Sequence, residues 1–285
     1  MISWQQAHQI LSDALTPLYG AAEADSIARI VGEDAFSFKN RSTTSQLDAA
    51  QMAHFEAIKA RLLLGEPVQY ILGKAYFYGL FFQVNPAVLI PRQETEELVA
   101  WVLEDLKQNK PASPILLDIG LGSGCIGISI KKKYRDLVLW GIDLSAEALE
   151  VAQLNAREIL QHQDFHFVQA DILTKTEWSK LPDQLDIVVS NPPYIPRQEA
   201  AIMPLHVRAH EPEMALFVTD DHPLVFYHVI AQLALERLRP GGALYFECNE
   251  FNALQLQNEL SVSGFLSVEL KKDLSNAWRM IKCIK

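Results

Sequence analysis

The stretch Leu116-Leu117-Asp118-Ile119-Gly120-Leu121-Gly122-Ser123-Gly124 constrains this chain more than any other. An apolar run of strand character passes directly into a glycine-rich turn, and a helical pattern begins at Gly124. Glycines allow the backbone to turn tightly and let a ligand approach the main chain. From Pro114 onward, strand and helix patterns alternate. Strands fit 115–119, 137–142, 165–169, 185–190 and 243–247; helices fit 124–134, 145–160, 223–238 and 250–261; β-prone runs at 265–270 and 278–284 close the chain. This alternation predicts an α/β fold, with a mostly parallel sheet covered by helices on both faces. Ligands of open parallel sheets bind beyond the C-terminal ends of the strands. Polar residues at those ends are therefore the candidates for function.

The glycine turn allows two readings. Gly120, Gly122 and Gly124 form the G-x-G-x-G of S-adenosylmethionine sites, with Leu121 and Ser123 between them; Gly122, Gly124 and Gly127 form the G-x-G-x-x-G of dinucleotide sites. Asp118 before the glycines favours the first, because an acid suits a methionine ammonium group and repels a pyrophosphate. Asp143 ends the next strand, where a carboxylate can hold the two hydroxyls of a ribose. Asp171 ends the third strand and is equally well read as an adenine-side residue or as a turn cap. Ile172 beside it offers an apolar contact to the adenine face.

Asn191-Pro192-Pro193-Tyr194 follows the apolar run 185–190. The Asn191 side-chain oxygen can accept a hydrogen bond from a planar NH2 group. The prolines fix the backbone and leave the Pro192 carbonyl as a second acceptor. Tyr194 can stack on a flat substrate. The expected chemistry is transfer to an amide or amine nitrogen, with Asn191, Pro192 and Tyr194 at the reacting centre. The long connection over 191–222 carries Pro192, Pro193, Pro196, Pro204 and Pro212, and a loop of that length is usually functional. Arg92, Glu94 and Thr95 start a helix nearby, read equally as site residues or as a helix start.

The first 72 residues read as a small helical bundle, with apolar positions Trp4, Ala7, Ile10, Leu11, Ala14 and Leu15 at helical spacing and further helices over 22–36 and 45–64. Residues 73–90 read as a β-hairpin whose aromatics, Tyr76, Phe77, Tyr78, Phe81 and Phe82, are expected in its core. A net charge of −10 argues against bare nucleic acid as the main ligand. The three cysteines are scattered and His206, His210, His222 and His228 lack a ligand spacing, so no metal site is expected. The opening residues lack a secretory-leader pattern and no apolar run is long enough to span a bilayer, so a cytoplasmic, membrane-free protein is expected.

With these elements in order, the chain resembles the class I S-adenosylmethionine-dependent methyltransferases, and more narrowly the peptide chain release factor N5-glutamine methyltransferases (the HemK/PrmC family). Four further segments carry the narrower likeness: Gly65–Gly73, Val84–Glu96, Glu211–Phe217 and Leu238–Gly242. The resemblance implies a Rossmann-like, seven-stranded methyltransferase domain at 91–285, a linking hairpin at 73–90 and a helical substrate-recognition domain at 1–72. It implies that S-adenosyl-L-methionine is consumed and S-adenosyl-L-homocysteine formed, and that class I release factors are the partners, modified at the glutamine of Gly-Gly-Gln. Gln93 replaces the family's second proline, and Glu247–Asn252 departs from its usual loop. The tetrapeptide alone is shared with amino-methyltransferases of adenine and cytosine, which remain the alternative. A nicotinamide-dependent oxidoreductase would leave Asn191–Tyr194 unexplained.

Overall fold

The computed structural model describes residues 2–40, 43–109, 111–161, 164–198 and 205–285. The chain divides into two compact units, one of 1–74 with 204–210 and the other of 75–203 with 211–285.

The first unit is helical: α1 (Trp4–Tyr19), α2 (Ala21–Phe36), α3 (Ala49–Leu63) and α4 (Val68–Leu72). Ser3 and Gln6 form a reciprocal capping box that starts α1. The α1 face bearing Trp4, Ala7, Leu11 and Leu15 is buried against Ala24, Ala28 and Val31 of α2. Gly32 makes room for Trp4, since a Cβ there would lie 2.3 Å from the indole. The third helix starts at Ala49, not near Ser45 as its apolar spacing suggests. Asp48 accepts from the Gln51 N–H at 2.8 Å while Gln51 returns the bond to the Asp48 N–H, and this box sets the boundary.

The hairpin β1 (Lys74–Phe77, its first residue counted with the first unit) and β2 (Leu80–Gln83) forms its own two-stranded sheet. Its aromatics divide by strand alternation. Phe77 and Phe82 are buried, whereas Tyr76 and Phe81 are exposed and meet edge-on at 5.4 Å, so only part of the expected aromatic core is core. There follow α5 (Gln93–Asn109), β3 (Ile115–Ile119), α6 (Cys125–Lys133), β4 (Val138–Asp143), α7 (Ala146–Leu160), β5 (Phe165–Gln169) and β6 (Leu185–Ser190). The connection after β6 is not a plain loop. It carries β7 (Ile195–Pro196), α8 (Leu205–His210, counted with the first unit), α9 (Glu213–Leu216) and β8 (Phe217–Val218); 199–204 lie outside the described residues. The chain ends with α10 (Val225–Arg237), β9 (Leu238–Glu247), α11 (Ala253–Ser261), β10 (Ser267–Lys272) and β11 (Trp278–Ile284).

The main sheet has seven strands in the order β10-β11-β9-β6-β3-β4-β5. The pairs β4–β5, β3–β4, β3–β6 and β6–β9 are parallel, and β11 runs antiparallel to both β9 and β10. Strand alternation sends successive side chains to opposite faces. Leu117, Val188, Leu244 and Phe246 pack on one face with Tyr227, Ile230 and Leu233 of α10 and Leu256 of α11. Leu116, Ile187, Val189 and Tyr245 pack on the other with Leu98 and Val102 of α5 and Ile126 and Ile130 of α6. Leu116 and Leu117 are each fully buried, contributing about 2 kcal/mol apiece. Pro240-Gly241-Gly242, just ahead of the strand expected over 243–247, lies inside β9 as an irregularity. Leu185 pairs with Leu238, and the register resumes at Ile187 with Ala243. Among the described residues no helix is long and apolar enough to cross a membrane.

Candidate active site

Three parallel strands end together at one cavity of about 350 Å³. The turn after β3, the ends of β4 and β6, the start of α5 and the α9–β8 segment all contribute to its wall.

On one side, Gly120, Gly122 and Gly124 take positive φ values of 73°, 52° and 79°, which carry the chain from β3 into α6 with little strain for glycine. The turn is tied to the neighbouring strand. Gly120 and Leu121 donate their N–H groups to the Ile142 carbonyl, and Gly122 donates to Asp143 Oδ2 at 2.8 Å. Asp143 Oδ1 accepts from the Ser145 N–H at 2.9 Å. Burial lifts the Asp143 carboxyl above its usual range, and the N–H groups of Gly122 and Ser145 oppose that rise. The Leu144 N–H also bears on this carboxylate, which keeps acceptor capacity for a further donor. Ile142, Ala170 and Ile172 add an apolar wall beside it.

On the other side stand Ser190, Asn191, Pro192 and Pro193. The Ser190 hydroxyl donates to the Ile119 carbonyl at 2.7 Å and so fastens the end of β6 to the end of β3. Asn191 donates through Nδ2 to Thr95 Oγ1 at 3.5 Å. Among the described residues, neither Asn191 Oδ1 nor the Pro192 carbonyl accepts a hydrogen bond. Two wall residues at one strand end thus keep an acceptor unpartnered among the described residues.

Gly120, Leu121, Gly122, Ser123, Asp143, Asp171, Ile172, Asn191, Pro192 and Pro193 line the cavity, whereas Asp118, Gly124 and Tyr194 do not. Asp118 lies behind the turn, 1% exposed, and accepts the Gly127 N–H at 2.8 Å. Burial pushes its carboxyl up to about 8; the Gly127 bond works against this and the nearby Asp143 adds to it. Gly124 enters α6 with Ile128 so close that a Cβ would lie 2.5 Å from its Cδ1. Tyr194, expected to stack on substrate, packs instead on the core beside α10, with its hydroxyl 3.4 Å from Glu247 Oε1. Asp171 reaches the cavity, but its carboxylate accepts from the Leu173 N–H at 2.9 Å and the Thr174 hydroxyl at 3.0 Å, the arrangement of a turn cap.

Several supporting contacts join residues far apart in the sequence. Glu247, at the end of β9, is buried and accepts the Thr95 hydroxyl at 2.5 Å. Asn155 of α7 is buried; it donates to the Ser123 carbonyl at 2.9 Å and the Gln83 carbonyl at 3.0 Å, joining the glycine turn to the hairpin. Arg92 on the cavity wall donates to Glu211 Oε1 at 2.6 Å, and Glu211 Oε2 accepts the Ile90 N–H at 3.3 Å. The segments 84–96 and 211–217 contain Arg92, Thr95 and Glu211; no local signal marked Asn155 or the role of Glu247. Among the described residues no cluster of His, Cys, Asp and Glu could hold a metal ion.

Comparison with known proteins places this geometry. Residues 6–73 match the PrmC N-terminal domain and residues 96–208 the methyltransferase small domain. Solved structures support the fold alone. A methyltransferase from Pyrococcus furiosus aligns over 81% of this chain and 98% of its own at a TM-score of 0.52 with 17% identity. The human methyltransferase 10 domain containing protein aligns over 81% and 97% at 0.51 with 16% identity. Curated relatives are nearer in sequence. The release factor glutamine methyltransferase of Flavobacterium psychrophilum is 39% identical over 94% of both chains, and that of Bacteroides thetaiotaomicron is 40% identical over 82% of both. The MTRF1L release factor glutamine methyltransferase of Homo sapiens is 32% identical over 78% of this chain and 67% of its own. The chain belongs to the release factor glutamine methyltransferase family.

Proposed function

We propose that this protein transfers a methyl group from S-adenosyl-L-methionine to the side-chain amide nitrogen (N5) of the glutamine in the Gly-Gly-Gln motif of class I peptide chain release factors, leaving S-adenosyl-L-homocysteine. One observation carries the reading. Asn191 Oδ1 and the Pro192 carbonyl are two unpartnered acceptors among the described residues, on the cavity wall at the end of β6. A primary amide presents two N–H donors in one plane, and two acceptors are what it needs to be held.

The residues present fit the methyl donor. The Asp143 carboxylate suits a ribose diol, Ile142, Ala170 and Ile172 suit the face of a purine, and the turn from Gly120 to Ser123 brings backbone close to the ligand. When bound, the donor supplies a methyl group already activated on a sulfonium. The remaining work falls to position and polarity. Asn191 and Pro192 hold the amide so that its nitrogen points at the methyl carbon, an alignment that removes much of the entropic cost of reaction. As the nitrogen takes the methyl it gains positive charge and its N–H groups become stronger donors. The two acceptors therefore bind the transition state better than the ground state. The alkylated nitrogen is acidic enough to release a proton to water without a dedicated base. Tyr194 acts in this scheme through Glu247.

Residues 1–72 are assigned to recognition of the release factor, 73–90 to the linking hairpin and 91–285 to catalysis. The cytoplasm, where release factors act, is the proposed compartment. The chain's net charge of −10 is poorly suited to stable binding of bare nucleic acid. The test offers methyl-tritiated S-adenosylmethionine with a class I release factor, its Gly-Gly-Gln Gln→Ala version and duplex DNA in parallel. Label on the unaltered release factor alone is expected. Label on DNA, or equal label on the Gln→Ala protein, overturns the reading.

A further inference from the structure

An asparagine amide can rotate by half a turn with almost no change of shape, so packing alone does not decide whether its oxygen or its nitrogen faces a ligand. For Asn191 the choice matters, because a flipped side chain would set its own NH2 against the NH2 of the substrate amide. The structure contains a device that makes the choice. The Thr95 hydroxyl donates its one hydrogen to Glu247 Oε2 at 2.5 Å. Having given that hydrogen away, Thr95 Oγ1 can only accept, and what it meets at 3.5 Å is Asn191 Nδ2. The other Glu247 oxygen lies 3.4 Å from the Tyr194 hydroxyl, so the carboxylate is held from two sides. Thr95 and Glu247 are each 2% exposed, which keeps water from substituting for either partner. The three groups come from the start of α5, the end of β9 and the end of β6, so the chain has built this contact across elements far apart in sequence.

We propose that Thr95 and Glu247 are positioning residues that lock the Asn191 amide with its oxygen toward the substrate. This rests on the glutamine-amide reading above. Glu247 orients Thr95, Thr95 orients Asn191, and neither Thr95 nor Glu247 exchanges protons with the substrate. The departure of 247–252 from the family's usual loop leaves the glutamate itself in place.

Two measurements test this on the full-length protein. In the first, Thr95→Val, which keeps shape but loses the hydroxyl, is expected to lower kcat about tenfold, the loss of one hydrogen bond's selectivity, with KM for the release factor within twofold. Thr95→Ser should restore kcat. Glu247→Met should repeat the loss, and in an Asn191→Ala background Thr95→Val should cost nothing further. Equal loss in both backgrounds, or no loss with Thr95→Val, overturns the proposal; an unimpaired Glu247→Met removes Glu247 from it. The second needs neither substrate nor methyl donor. In protein labelled with 15N-asparagine, the Asn191 side-chain amide resonance, assigned by its absence in Asn191→Ala, should exchange with solvent at least about tenfold faster in Thr95→Val. Unchanged exchange contradicts the lock. If the wild-type protein methylates no release factor but the exchange result holds, the functional reading fails and the positioning stands.

Discussion

The Asp143 carboxylate accepts the Gly122 N–H at 2.8 Å, so one side chain both ends β4 and holds the turn that leaves β3. A ligand gripped by Asp143 would thereby be set in register with the glycine backbone. Asp143→Ala removes the turn's anchor along with the acceptor for the ribose hydroxyls. Calorimetry with S-adenosylmethionine is expected to give a Kd raised by about 10- to 100-fold, the usual worth of hydrogen bonds to a charged group. Unchanged affinity would take Asp143 out of the ribose role.

Asp118 gives the fold a pH signature. Its carboxyl titrates at about 8 when folded, against an ordinary value of 3.8, because burial penalises the charge. Between those values the folded state holds a proton that the unfolded chain has released. This group's contribution is therefore fully present at low pH and is lost as pH rises toward 8. Asp118→Asn keeps an oxygen for the Gly127 N–H and cannot ionise. Its stability relative to wild type should climb from pH 5 to pH 8, by no more than about 1.4 kcal/mol per pH unit. Chemical denaturation across that range measures it, and a pH-independent difference between the two proteins would contradict the assignment.

Gly127 is a packing glycine. A Cβ there would lie 2.7 Å from Leu139 Cδ1 and 2.9 Å from Asp118 Oδ2, between α6 and the sheet. Gly127→Ala should destabilise the protein by about 2 kcal/mol, a typical cost of overpacking. The loss should appear in the denaturation midpoint. A midpoint equal to wild type would mean that α6 shifts freely, against the close packing described.

Legibility in the sequence followed the range of the interactions. The β3–turn–α6 unit could be read because strand, glycines and helix are consecutive, and Asp143 and Asn191 because each ends an apolar run. The tail strands at 267–272 and 278–284 were also visible as β-prone runs, but not the insertion of β11, antiparallel, between β9 and β10. Period-two alternation reports which face a residue takes and is silent on which strand it pairs with. Thr95 is a candidate at a helix start in the sequence, but its pairing with Glu247 is hidden for a similar reason, since the two lie 152 residues apart. The place of Asp118 before the glycines suggests an acid facing the cofactor, but strand alternation and the Gly127 N–H turn it behind them. The start of α3 had a readable signal, Asp48 three residues before Gln51, which the apolar spacing from Ser45 obscured.

The claim that Asn191 holds the glutamine amide for transfer is tested most directly by one variant with two readouts. Asn191→Ala leaves the turn and Asp143 untouched while removing an acceptor that strengthens in the transition state. Turnover on a class I release factor should fall by about 100-fold or more, as for other groups that stabilise developing charge, while the Kd for S-adenosylmethionine stays within about threefold. Wild-type turnover in purified Asn191→Ala would contradict the proposed mechanism.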